Sequence, residues 1–101
     1  MKIAHTLKQH LAANRVTVGS WITLAHPAIA EIMAHAGFDW LTVDMEHSVI
    51  TIREAEELIR VVSLCGVPAL VRLTSNNADL IKRVMDAGAS GIIVPMVNSR
   101  A

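Results

Sequence analysis

The apolar positions along this chain fall into short continuous runs that alternate with stretches spaced at three and four residues, a pattern that switches repeatedly between strand and helix. The run VTVGSWITL, residues 16–24, is dense in β-branched and aromatic residues and carries no charge, as a strand covered on both faces would. Pro27 then suits a first helical position, Ile29, Ile32, Met33 and Ala36 form a helical stripe, and Gly37 supplies a stop. The order repeats. WLTVD, residues 40–44, reads as a second strand, and Thr51 with Glu54 three residues on forms a capping box for a helix whose buried stripe is Ala55, Leu58, Ile59 and Val62. Gly66 and Pro68 end that helix. ALVRL, residues 69–73, is a third strand, TSNN leads into a helix with Ile81, Val84 and Met85 facing inward, and Gly88 closes it. GIIVPMV, residues 91–97, reads as a fourth buried strand with Pro95 near its end, where a missing donor is tolerated. Ahead of all these, Ile3, Leu7 and Leu11 make a narrow stripe for a short helix covering the end of something larger.

Three strand–helix units at a spacing of roughly 25 residues, followed by a strand, imply a parallel sheet with right-handed crossovers. Two architectures begin this way: a closed eight-stranded barrel of about 250 residues, and an open doubly wound sheet. Length favours the open sheet and motifs favour the barrel. On the barrel reading, residues 1–101 are one domain, the N-terminal half of a TIM-type (β/α)8 barrel. Such a half exposes strand edges and inward-facing apolar side chains, so a further half or an assembling partner is expected.

Composition narrows the setting. Hydrophobic residues make up 52% of the 101, enough for a core, and nine basic residues balance nine acidic ones. A net charge of zero gives no broad attraction to nucleic acid or an anionic membrane, and neither is expected as a partner. The single Cys65 rules out an intrachain disulfide framework and makes a cysteine-based metal site improbable. No signal-peptide pattern and no apolar run of about 20 residues is present, so a cytoplasmic location is expected.

Ligand sites in parallel α/β folds form beyond the carboxyl ends of the strands, and here those positions are polar. His26 follows the first strand; Asp44, Glu46 and His47 lie at and after the second; Arg72, Thr74, Ser75, Asn76 and Asn77 lie at and after the third. His47 by position alone reads as a solvated loop histidine, and Asp44 as either a turn cap or a site acid. Arg72 within ALVRL needs a partner, either a substrate or a protein acid such as Asp44. Glu46 reads as a surface charge ahead of a metal ligand. Lys2, Lys8 and Lys82 are the only lysines and none ends a strand, which argues against Schiff-base chemistry. No glycine-rich nucleotide fingerprint follows any strand. His5 and His10 read as solvent-facing, His35 as complementing a helix dipole, and Met33, Met85 and Met96 as core filler.

Taken together, GSWITLAHP, AGFDWLTVDMEHS, LVRLTSNN and IKRVMDAGASGIIVPMV resemble, in order and spacing, the 4-hydroxy-2-oxoheptanedioate and 2-dehydro-3-deoxyglucarate aldolases of the HpcH/HpaI aldolase family. The resemblance covers nearly the whole chain. It implies an eight-stranded barrel and a divalent-metal-dependent aldolase, using magnesium, manganese or cobalt, that cleaves a 4-hydroxy-2-oxo acid to pyruvate and an aldehyde. His47 matches the histidine that assists proton transfer at the 4-hydroxyl, and Arg72 the arginine that steadies the pyruvyl oxygens and the developing enolate. Asp44 matches a site acid and Asp86 an aspartate paired with the histidine; Trp21 is expected, like Arg72, to contact the substrate. The family's metal-binding Glu and Asp lie on later strands, so no metal ligand is expected within residues 1–101. Asp86 ends a helix, on the side of a barrel opposite the site; its pairing with His47 then crosses a subunit interface, acts at longer range, or requires a different helix end. Met45 stands where the family often has glycine, and His26 where small polar residues are common. A small 2-oxo-acid substrate and a homo-oligomer follow from the same resemblance. The alternatives are a noncatalytic half barrel that assembles with itself or a partner, and a related lyase or condensing enzyme that uses a 2-oxo-acid enolate.

Overall fold

Backbone hydrogen bonding in the computed structural model gives the order α1 (Lys2–Ala12), β1 (Gly19–Ile22), α2 (Pro27–Ala34), β2 (Trp40–Asp44), α3 (Ile52–Leu64), β3 (Ala69–Arg72), α4 (Ala78–Asp86), β4 (Gly91–Ile93). The structure describes residues 2–99, with side chains from Leu7 onward. The roles expected of Ile3 and His5 lie outside the described side chains.

The four strands form one sheet in the order β1-β2-β3-β4, and every neighbouring pair is parallel. Parallel neighbours in sequence order need one crossover helix each, which α2, α3 and α4 supply. The register puts Ile22, Val43, Val71 and Ile92 in one row and Trp21, Thr42, Leu70 and Gly91 in the next. Because strand side chains alternate, these rows face opposite ways. The first face is the core: Ile22, Leu41, Val43, Ala69 and Val71 pack with Ala30, Ala34, Ala55, Leu58, Ile59, Val62 and Val84 from the helices. Burying a side chain such as Leu58 or Ile59 contributes about 2 kcal/mol each. Among the described residues α2, α3 and α4 pack on the first face, and Trp21 on the second is 39% exposed. Extents of 35 × 33 × 21 Å describe the resulting two-layer slab.

Local chemistry sets the helix ends. Thr51 and Glu54 close a reciprocal capping box, with Thr51 Oγ1 accepting from the Glu54 amide at 3.2 Å and Glu54 Oε1 accepting from the Thr51 amide at 2.9 Å. Asn77 Oδ1 caps α4 by accepting from the Leu80 amide at 3.1 Å. Gly37, Gly66 and Gly88 follow the three crossover helices with positive φ, a conformation that side-chain-bearing residues rarely adopt.

Several expectations need correction. The first strand spans Gly19–Ile22, not residues 16–24, and Val16 is 90% exposed. β1 is an edge strand whose ladder with β2 starts at Gly19 opposite Trp40, so nothing covers Val16. In α2 the buried residues are Ala30 and Ala34, while Ile29 and Ile32 are exposed and only Met33 of the expected stripe packs against the core. Small side chains let this helix approach closely, turning its larger ones outward. Met85 is also exposed, and Met96 sits at φ 55° with 81% exposure, outside the core. β4 stops at Ile93, before Pro95. His10 is half-buried, not solvent-facing.

Candidate active site

The last residue of β2 and the last residue of β3 are register partners, so Asp44 and Arg72 project side by side on the face away from the helices. Their side chains meet in a two-bond fork, with Arg72 Nε donating to Asp44 Oδ1 at 3.0 Å and Arg72 Nη2 to Asp44 Oδ2 at 2.6 Å. Asp44 is 2% exposed. Its Oδ1 also accepts the amide hydrogens of Glu46 and His47, each at 3.0 Å, so the turn after β2 is wound around this carboxylate. Ser48 tightens the same turn by donating its hydroxyl to the Asp44 carbonyl and accepting from the Ile50 amide at 3.2 Å.

That turn delivers two more ionisable groups. Glu46 Oε1 lies 3.4 Å from His47 Nε2 and 3.7 Å from Arg72 Nε, bridging the imidazole to the guanidinium. His47 is 66% exposed on its side chain and Glu46 mostly covered. The Arg72 guanidinium also lies over the Trp21 ring, 4.2 Å from its centroid. A guanidinium has five N–H donors; with two on Asp44, the Nη1 pair and one Nη2 hydrogen are left for other acceptors.

The charges are mutually adjusted. The Arg72 hydrogen bond, aided by the His47 and Glu46 amides and opposed by desolvation, holds the Asp44 carboxyl at about 2, below its ordinary 3.8. The same bond with Asp44 raises Arg72 above its ordinary value. Asp44 therefore stays a carboxylate, and Arg72 a cation, across physiological pH. Such an arrangement can hold a flat anionic group against the free guanidinium hydrogens with an imidazole beside it.

Four of the residues singled out in the sequence, Asp44, His47, Arg72 and Trp21, thus come together at one end of the sheet. Asp44 both caps its turn and pairs with Arg72. Asp86 does not join them: it is exposed at the end of α4, in an outer groove of about 340 Å³ with Ile52, Arg53, Glu56 and Arg83 between α3 and α4. His26 is the N-cap of α2, its Nδ1 accepting from the Ala28 amide at 3.1 Å. His35 ends α2 as its C-cap, with Nε2 3.9 Å from Cys65 Sγ. Thr74, Ser75, Asn76 and Asn77 are exposed. Sequence reasoning undervalued Glu46, which is no free surface charge; its place two residues after Asp44, inside the turn that Asp44 caps, was the available signal. It also missed Thr42, one strand step inward, whose buried Oγ1 has no hydrogen-bond partner among the described residues.

These donors do not make a divalent-cation site by themselves. Both Asp44 oxygens are taken by Arg72 and backbone amides, and Glu46 faces a guanidinium. Among the described residues no group of three or more His, Cys, Asp or Glu converges to hold a metal. No helix among them is long and apolar enough to cross a membrane.

Known proteins carry the same arrangement of elements. The profile of the HpcH/HpaI aldolase/citrate lyase family matches residues 17–101. A hydroxypyruvate/pyruvate aldolase from Cupriavidus necator is 35% identical over 99 residues, which is 98% of this chain and 37% of that protein. The crystal structure of an HpcH/HpaI aldolase from Desulfitobacterium hafniense superposes with a TM-score of 0.82 at 38% identity, covering 92% of this chain and 36% of that one. The citrate synthase SbnG superposes at 0.80 with 33% identity, over 90% of this chain and 37% of its own. The chain therefore spans little more than a third of the length of these relatives, and its four parallel strands are a half barrel of their TIM-type fold. By the match of its sequence over residues 17–101 and of its fold to a family crystal structure, the chain belongs to the HpcH/HpaI aldolase/citrate lyase family.

Proposed function

We propose that these residues serve a pyruvate aldolase, one that cleaves a 4-hydroxy-2-oxo acid to pyruvate and an aldehyde, or forms the acid in reverse. The observation that supports this reading best is the Asp44–Arg72 fork with Glu46 and His47 beside it at the carboxyl ends of β2 and β3. In the proposed reaction Arg72 donates its free N–H groups to the pyruvyl oxygens, and Asp44 keeps the guanidinium charged and oriented. His47 takes the proton of the 4-hydroxyl, the C3–C4 bond breaks, the hydroxyl oxygen becomes the aldehyde carbonyl, and the electron pair passes into the enolate of pyruvate. Arg72 faces the charge that develops there. Protonation at C3 then completes pyruvate.

Glu46 orients His47 in this scheme, its Oε1 lying 3.4 Å from the imidazole Nε2. Asp86 ends α4, on the side of the sheet opposite the carboxyl ends of the strands, so in this reading it pairs with a histidine of a second copy in a homo-oligomer or acts at longer range. The divalent cation implied by the family would take its ligands from residues outside this chain, and none of the steps above passes through it.

A coupled assay of pyruvate release tests the reading. Turnover of a 4-hydroxy-2-oxo acid should fall by roughly 10²–10⁴ in His47→Ala, the contribution of a general base. It should vanish on chelation and return with magnesium, manganese or cobalt. Chelator-insensitive turnover, or full activity in His47→Ala, contradicts it. The likeness to a citrate synthase favours one second reading, condensation of a 2-oxo-acid enolate with a carbonyl acceptor. Product analysis with pyruvate and an aldehyde or oxo-acid acceptor separates the two.

A further inference from the structure

We propose that Gly19, Trp40 and Trp21 form a positioning stack for Arg72, in which Trp40 acts on the guanidinium only through Trp21. The inference rests on the reading of Arg72 as the anchor for a 2-oxo acid, and gives Gly19 and Trp40 a role that needs no contact with that ligand. A Cβ at position 19 would lie 1.9–2.3 Å from three atoms of the Trp40 indole, so the ring occupies the space that any side chain there would need. Gly19 and Trp40 are register partners on adjacent strands, which explains the overlap. Seated there, Trp40 meets Trp21 edge to face, with centroids 6.5 Å apart and planes at 90°. Trp21 in turn carries the Arg72 guanidinium at 4.2 Å.

The stack supplies what the Asp44 fork cannot. Two hydrogen bonds along one edge of a guanidinium define an axis, about which the plane can still tilt. The Trp21 ring, its centroid 4.2 Å from the guanidinium carbon, restrains that tilt. Trp21 is itself 39% exposed on an edge strand, so its plane needs support from the side, and Trp40 provides it. With the axis fixed and the tilt restrained, the unpaired N–H groups present a flat, constant edge, suited to a planar carboxylate with an adjacent oxo group.

The two rings of the stack are the chain's only tryptophans, and ring-current shifts read the geometry directly. In NMR spectra of the protein, the Arg72 δ-methylene and Nε–H protons should resonate upfield of their ordinary positions. Trp21→Leu should abolish the shift and Trp40→Leu should remove most of it, while Trp40→Phe keeps part. An Arg72 shift unchanged in Trp40→Leu overturns the proposal. If Trp40→Leu loses its dispersed amide spectrum, Gly19→Ala and Trp40→Phe decide the same question, because each must displace or shrink the supporting ring. Titration with pyruvate then links geometry to binding: affinity should weaken roughly tenfold in Trp40→Leu, the order expected when a cation–π contact is lost, and disappear in Arg72→Lys. Equal pyruvate affinity in wild type and Trp40→Leu, with the ring-current shift gone, overturns the positioning role. No pyruvate response in wild type would instead overturn Arg72 as an anchor that holds a 2-oxo acid within this chain alone, leaving the stack to stand or fall on the ring-current result.

Discussion

Asp44 accepts from four donors through its two carboxylate oxygens, and its protonation is therefore linked to folding. Its carboxyl titrates at about 2 in the folded chain against an ordinary 3.8. Between those values the unfolded chain binds a proton that the folded chain refuses, so the stabilisation is complete above the ordinary value and is lost as pH falls through about 2. The magnitude is on the order of 1–2 kcal/mol, reduced from the full shift because Arg72 is a quarter exposed and solvent screens the pair. Urea unfolding of wild type and Asp44→Asn at stepped pH should give a stability gap that is constant above about pH 5 and narrows steadily toward pH 2. A gap independent of pH would mean that Asp44 acts by shape alone. Arg72→Lys probes the other side of the pair. An ammonium replaces a planar fork by a point charge and cannot keep both bonds to Asp44 while facing a second carboxylate. A fall in kcat/KM of about 10²-fold is expected, larger than any change in the urea midpoint would explain.

At the scale of elements, the helix ends were legible in sequence because their signals are local. Thr51 with Glu54, Asn77, and the glycines at 37, 66 and 88 each act within one turn of the residues they terminate. Thr51→Ala should lower stability by about 1 kcal/mol, and Thr51→Ser should restore most of it, since only the hydroxyl acceptor matters. Thermal melts of the two variants measure this; an equal loss in both would point to the β-branched methyl. Elements whose character depends on neighbours were not legible in the same way. The apolar run at 16–24 reads as doubly covered, yet β1 lies at the edge of the sheet and only Ile22 in it is buried. The stripe expected for α2 was drawn through its largest side chains, whereas the fold buries Ala30 and Ala34. Of the site, Asp44, His47 and Arg72 stood out because polar residues at strand ends are conspicuous. Glu46 and the Gly19–Trp40 contact did not, because a bridge between two side chains and a cross-strand overlap appear only once the register is fixed.

For the molecule as a whole, the sheet is covered by helices on one face, and among the described residues β1 and β4 each leave one edge without a strand partner. Trp21, Thr42, Leu70 and Ile93 share the uncovered side by strand alternation, and Leu24, Val49 and Val97 add apolar surface in the following loops. Open edges and an apolar face of this kind favour association, and the absence of net charge does nothing to oppose it. A chain of 10.9 kDa should therefore sediment above its own mass at micromolar concentration. Ile93→Lys is the informative variant. Ile93 is the register partner of Arg72 on the outermost strand and only half-buried, so a lysine there can reach solvent in an isolated chain but would place a second cation near Arg72 in any closed assembly. The expected result is a shift toward the 10.9 kDa species with the helical signal and the urea midpoint retained. Were the wild type a 10.9 kDa monomer up to concentrations on the order of 100 μM, the uncovered face would be tolerated by solvent, and the half barrel would stand without a partner.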